Sequence, residues 1–127
     1  MTRCFKDFGE VELEQASSIC ASANATLLSP INSAEFSDLL AVVETMNPGS
    51  FFAIDGTDAA IEGVWMTFDG TCQVPFLEWA EYQPDNLHNE DCIRTFDGKM
   101  NDAPCSEKVT VVCEKSSKNE LIKYSSG

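Results

Sequence analysis

Basic residues are scarce in this chain: Lys and Arg together number 8 against 21 Asp and Glu, for a formal net charge of −13. That balance argues against nucleic acid, heparin-like polyanions and anionic membrane surfaces as partners, because each is repelled over a Debye length of about 8–10 Å. Histidine is scarcer still. His88 stands alone and no two cysteines are spaced C-x-x-C, so a zinc site has no ligand set. Gly-x-Ser-x-Gly and His-Glu-x-x-His patterns are absent, and although acids surround His88 in sequence, no nucleophile stands beside it. Enzymatic activity is not expected. No stretch approaches the roughly 20 apolar residues of a membrane span, so membrane insertion is not expected. Nor does an apolar stretch of signal-peptide length follow Met1, which reads as a mature chain with its signal removed or a Met added.

What the chain does hold is cysteine and acid. Six cysteines in 127 residues, without zinc-type spacing, read as a disulfide framework and therefore as secretion into an oxidising, extracellular setting. Spacing alone does not choose their pairing. The length suits one domain, residues 1–127, with a core of about two-thirds buried surface. Residues 115–127 read as a polar C-terminal extension available to a second subunit. Part of the excess acid serves solubility, and the rest suits a cation binder.

Residues Cys4 to Phe8 read as a short first strand ended by Gly9. From Glu10 to Asn24, Leu13, Ala16, Cys20 and Ala23 recur at helical spacing, with Glu10, Glu12 and Glu14 near the positive end of the helix dipole. Leu27 and Leu28 form a buried strand-like run ended by Ser29-Pro30. Asn32 followed by Glu35 predicts a capped helix start, and Phe36, Leu39, Leu40 and Val43 form its apolar stripe until Pro48-Gly49. Phe51 to Ile54 is a strand candidate turned by Asp55-Gly56. Val109 to Cys113 is a β-branched strand suited to a sheet centre. Between them Gly56, Gly63, Gly70, Pro75 and Pro84 punctuate a long loop region, which in a compact domain persists because it binds something or is held by metal or disulfide.

The informative stretch runs from Trp79 to Cys113. Gln83, Asp85, Glu90, Asn101 and Asp102 offer oxygen donors only, interrupted by no soft ligand except His88. Calcium, a hard cation, takes about 6–8 oxygens from carboxylates, amide carbonyls and water, so this set leaves positions open for a further ligand. With Gln83-Pro84-Asp85, Glu90-Asp91-Cys92, Asn101-Asp102, Cys105 and Val111-Val112-Cys113-Glu114, and with Asp55-Gly56-Thr57-Asp58 and Glu62-Gly63-Val64-Trp65 upstream, the sequence resembles the C-type lectin-like domain. The resemblance reaches from about Phe5 to Glu114, and it is closest to the calcium-dependent, sugar-binding members.

That resemblance implies an α+β fold, with two helices flanking small antiparallel sheets and a long calcium-binding loop. It implies Cys20–Cys113 and Cys92–Cys105 disulfides and leaves Cys4 and Cys72 to an internal bond or an intersubunit bridge, hence a possible homodimer. It implies a principal Ca2+ on Gln83, Asp85, Glu90, Asn101 and Asp102, whose groups also hydrogen-bond two sugar hydroxyls. Asp58, Glu62, Asn86 and Asp91 would hold an accessory Ca2+, weakened by the amide at Asn86. Met100 stands where the family usually has Trp, with no loss of a ligand. A cis Gln83–Pro84 bond would aim both flanking ligands at one ion.

Within the family, Glu-Pro-Asn goes with mannose, glucose or fucose and Gln-Pro-Asp with galactose and N-acetylgalactosamine. Galactose-type glycans on glycoproteins or cell surfaces are thus the expected partners. Such sites commonly stack the sugar on an aromatic ring, for which this loop offers only Leu87 or His88. The alternative function is a domain of the same fold that binds protein or ice through that loop.

Overall fold

The computed structural model describes residues 3–84 and 90–116. Its first sheet is antiparallel and joins the two ends of the described chain. In it β1 (Arg3–Glu12) pairs along its length with β6 (Lys108–Ser116), while β2 (Thr26–Leu27) lies on β6's other side. The central place of β6 follows from its sequence, since Val109, Thr110, Val111, Val112 and Cys113 are all buried and β-branched residues suit a pleated surface packed on both faces. The strand also runs past Cys113, with Lys115 opposite Cys4 and Ser116 opposite Arg3. The expected extension therefore begins inside a strand, and residues 117–127 lie outside the described residues.

Gly9 does not end β1. It sits at φ 81° with its N–H donated to Asp7 Oδ1 at 2.7 Å, and the register shifts between Asp7 and Glu10. Glycine supplies the left-handed residue of a bulge here, and the strand continues beyond it. The first helix, α1 (Leu13–Ser22), accordingly starts later than expected, with Glu10 and Glu12 still in β1. Its apolar spacing buries Leu13, Ala16 and Cys20, and Cys20 bonds to Cys113 across 93 residues of sequence.

Asn32 caps α2 (Ser33–Met46) by accepting the Glu35 N–H at 2.8 Å. Glu35 returns its carboxylate to the Ile31 N–H at 3.1 Å, one residue outside the usual reciprocal partner. Phe36, Leu39 and Val43 face inward, and Leu40 packs at the margin. The second sheet has the order β3-β4-β5, all antiparallel: β3 (Ala53–Thr57), β4 (Cys92–Phe96) and β5 (Lys99–Ala103). Asp55-Gly56, which the sequence suggests as a turn, lies inside β3. A Cβ on Gly56 would meet Ile93 Cδ1 at 2.6 Å, so glycine serves close packing there.

Two apolar clusters fill the interior. One gathers Leu13, Ala16, Val109, Val111 and both disulfides. The other packs Phe36, Phe52, Ile54, Trp65, Ile93 and Met100 between α2 and the second sheet. The arrangement is α+β, as the resemblance implies, with two helices, small antiparallel sheets and the Cys20–Cys113 and Cys92–Cys105 bonds formed. Cys4 and Cys72 are free and exposed. An internal Cys4–Cys72 bond is not made: Cys4 sits on β1 opposite Lys115, whereas Cys72 closes a turn with Thr67 beside the Met66–Gln73 bridge.

Candidate functional site

Met100 joins the two halves of the oxygen-donor set. It is fully buried, its N–H donates to the Glu78 carbonyl and its carbonyl accepts the Ala80 N–H, both at 2.8 Å. Trp79, held in this bridge, packs on Trp65 with ring centroids 5.1 Å apart. From Ala80 a turn closes with Gln83 N–H donating to the Ala80 carbonyl at 3.0 Å, and the Gln83–Pro84 bond that follows is cis. Gln83 thus rides on a segment bonded to β5, the strand that bears Asn101 and Asp102. Methionine's unbranched thioether packs in the cluster with Trp65, Ile93 and Trp79, and its sulfur accepts the Glu78 N–H at 3.5 Å.

Across β4–β5, Asn101 opposes Arg94 and Asp102 opposes Ile93. Asp102 is only 1% exposed, so β5 carries a carboxylate into the interior. Asn101 Oδ1 is a buried acceptor that no donor among the described residues reaches. Glu90 and Asp91 lead into Cys92 at the start of β4. Asp85, Asn86, Leu87, His88 and Asn89 lie outside the described residues.

A second group of acids forms from distant parts of the chain. Asp58, Glu62 and Asp91 each present a carboxylate oxygen, all within 4.8 Å of one another. Asp58 follows β3, and its backbone N–H donates to the Asp91 carbonyl at 3.2 Å, which draws the two residues together. Its Oδ2 accepts the Gly63 N–H at 2.9 Å, whereas Oδ1 and Asp91 Oδ1 are buried with no donor between them. Burial, then the nearby Asp58 carboxylate and the Asp102 charge, pushes the Asp91 carboxyl above its ordinary value. Facing carboxylates of this kind share a proton or hold a cation. Hard oxygen donors alone, with orphaned acceptors at Asp58, Asp91 and Asn101, fit calcium rather than a softer metal.

Side-chain hydrogen bonds hold the loop between β3 and Gln73. Asp55 accepts the Phe68 N–H at 2.9 Å, and burial raises its carboxyl above the ordinary value. Asp69 binds the Thr67 hydroxyl at 2.7 Å and the Thr71 N–H at 3.0 Å, and these donors, Thr67 first, hold its carboxyl down to about 2. Phe68 and Asp91 then line an open depression of about 550 Å³ beside Cys105. Asp55's role as a clamp was not anticipated, because nothing local in Asp-Gly distinguishes a clamp from a turn. The β4–β5 hairpin was missed as well, although Asp97-Gly98 is a two-residue hairpin signal.

The family profile described as the Lectin C-type domain matches residues 10–115. A mannose-binding protein of Gallus gallus is 36% identical over 99 residues, which span 76% of this chain and 37% of that protein. An alpha-N-acetylgalactosamine-specific lectin of Patiria pectinifera is 34% identical over 129 residues, spanning 91% of this chain and 76% of that protein. Among solved structures, the herring type II antifreeze protein is similar with a TM-score of 0.73 and 25% identity, over 91% of each chain. The chain belongs to the C-type lectin domain family. It corresponds to little more than a third of the mannose-binding protein's length, 37%.

Proposed function

We propose that this chain is a calcium-dependent carbohydrate-binding domain that takes terminal galactose or N-acetylgalactosamine. Gln83, Asp85, Glu90, Asn101 and Asp102 would hold the principal Ca2+. Asp58, Glu62, Asn86 and Asp91 would hold an accessory ion. Calcium, when bound, supplies a Lewis-acidic centre with open positions for two sugar hydroxyls. The protein's own part is to surround those hydroxyls with donors and acceptors in a fixed order. A carboxylate only accepts and an amide nitrogen donates, so Gln83 and Asp85 assign one side of the sugar to each role. Leu87 or His88 would cover its apolar face.

The observation that carries this reading is the chemistry of the donor set. The described part of it is oxygen only, and its two arms, Gln83 and Asn101-Asp102, are tied through Met100. The order Gln-Pro-Asp selects the galactose type, and the starfish relative's stated specificity for alpha-N-acetylgalactosamine supports it. The chicken relative's name points to mannose, so the order of the motif has to decide. Weak monosaccharide affinity, with Kd near about 1 mM, suits an open surface site. An extracellular location fits the two disulfides, and among the described residues no helix is long and apolar enough to cross a membrane. A bridge through exposed Cys4 or Cys72 would make a homodimer, whose two weak sites gain avidity.

Competitive elution from galactose resin tests the reading. Galactose and N-acetylgalactosamine should release the protein where mannose does not, and EDTA should release it outright. The double change Gln83→Glu with Asp85→Asn should shift the preference towards mannose. Equal elution by mannose from the parent, or an unchanged preference in the double variant, contradicts the assignment. A second reading, an ice-binding domain, is favoured by the herring antifreeze likeness and would be seen as thermal hysteresis without sugar retention.

A further inference from the structure

One exposed pair of aromatic rings is left unexplained by the calcium-binding arrangement. Phe51 and Phe96 are each 43% exposed, and their ring centroids lie 6.0 Å apart at an interplanar angle of 39°. The Arg94 guanidinium lies 3.9 Å from the Phe51 centroid and 5.6 Å from that of Phe96. Arg94 is itself tethered, by an ion pair to Glu107 at 2.6 Å and by donation to the Thr95 carbonyl at 3.3 Å. Isolated exposed apolar side chains are ordinary. This pair differs because a fixed cation backs it and because of where the strand register puts it.

In an antiparallel ladder, residues directly opposite one another share a face, as do alternate residues along a strand. Arg94 opposes Asn101 and Phe96 opposes Lys99, so Arg94, Phe96, Lys99 and Asn101 line one face of β4–β5. Phe51, two residues before Ala53, which opposes Arg94, continues that line. The turn is a tight one, with Asp97 at φ 50° and Gly98 at φ 77°, the two-residue geometry that suits strand twist. Phe96 therefore stands at a defined place, about 9 Å from Asn101 by the strand spacings. Lys99, directly opposite Phe96 and two residues from Asn101, pairs with Glu78 at 3.3 Å.

We propose that Phe96, steadied by Phe51 and Arg94, is a second contact for a glycan anchored at the Asn101-Asp102 site, and that it takes the apolar face of a neighbouring sugar in the same chain. This rests on the sugar-binding reading above and deepens it from a monosaccharide to a short oligosaccharide. A pyranose presents axial C–H bonds on one face, and an aromatic ring offers a negative face to them. The occupant is a neutral sugar rather than a peptide, because Arg94 and Lys99 connect Asn101 to Phe96 along one face of the β4–β5 hairpin. Lys99 and Glu78 supply a donor and an acceptor for hydroxyls on the way.

Calorimetry in calcium tests this with galactose and a linear trisaccharide that ends in galactose. The readout is the ratio of the two affinities. In the parent the trisaccharide should bind about 3- to 10-fold tighter. The ratio should fall close to one in Phe96→Ser and recover in Phe96→Tyr. Ile31→Ser, a change at a 61% exposed residue outside this face, should keep the parent's ratio. A parent with no trisaccharide advantage, or Phe96→Ser retaining it, overturns the second contact while leaving the calcium site standing. A parent that binds neither sugar in calcium overturns both.

Discussion

The two three-stranded sheets of this protein are held by opposite means. In β1-β6-β2, long ladders and a buried β-branched strand close over an apolar cluster, and Cys20–Cys113 ties helix to sheet. In β3-β4-β5 the strands are only five residues each, and the chain from Thr57 to Pro84 runs through isolated bridges, turns and acids. There Asp58, Glu62 and Asp91 crowd together within reach of the Asp102 charge, with Asp58 and Asp102 both buried. The difference teaches where ligand dependence enters. Hydrophobic burial stabilises the first half whatever the solution contains, whereas the second keeps like charges close, the arrangement on which the proposed cation would act.

Removing crosslinks should break the comparison most severely. Cys20–Cys113 closes a separation of 93 residues and Cys92–Cys105 one of 13. Chain entropy then gives losses of about 4.7 and 3 kcal/mol for the paired Cys→Ala changes. Urea unfolding in EDTA should rank them in that order, and the reverse order would mean that the acid-rich half relies more on covalent restraint than its partner does.

Met100→Ala acts on the seam between core and site. A fully buried methionine truncated to alanine costs about 2–5 kcal/mol, while Met100→Leu should cost less than about 1.5. The backbone bonds to segment 78–80 survive the change, but the thioether that accepts the Glu78 N–H at 3.5 Å is lost, so Met100→Ala should weaken calcium binding as well as stability. Unchanged calcium affinity in a destabilised Met100→Ala would show that the seam does not position the ligands.

The smallest effect belongs to Asp69. Its carboxyl is depressed from the ordinary 3.8 to about 2, so its contribution is present above 3.8 and is lost as pH falls through about 2. Amide exchange at Thr71 should rise across that window in the parent, and Asp69→Asn should show the raised exchange at every pH. A parent whose Thr71 exchange follows only the intrinsic pH dependence would remove Asp69 from the turn's support.

Sequence reading succeeded where local pattern and tertiary outcome agree. Asn32 before the Phe36, Leu39, Val43 stripe fixed α2, and the β-branched run from Val109 to Cys113, buried throughout in the structure, marked β6 as central. It failed at glycines, because Gly9 serves a bulge and Gly56 a close approach to Ile93, and neither use differs from a turn in one dimension. The β4–β5 hairpin escaped notice because Asn101 and Asp102 were read only as ligands, although they are also strand residues. At the site, the kinds of donor were legible in the chain. The meeting of Asp58 and Glu62 with Asp91 follows from β3–β4 pairing, and the resemblance rather than any local spacing anticipated it.

The central claim is that a cation completes the acid-rich half, and thermal unfolding in millimolar calcium against EDTA tests it most directly. Ligand at 100 times its Kd stabilises the native state by about 2.7 kcal/mol. The account predicts a higher Tm in calcium for the parent, with cleavage between Gln83 and Asp102 slowed, and a smaller shift in Asp102→Asn. Identical melting and cleavage in calcium and EDTA would contradict it.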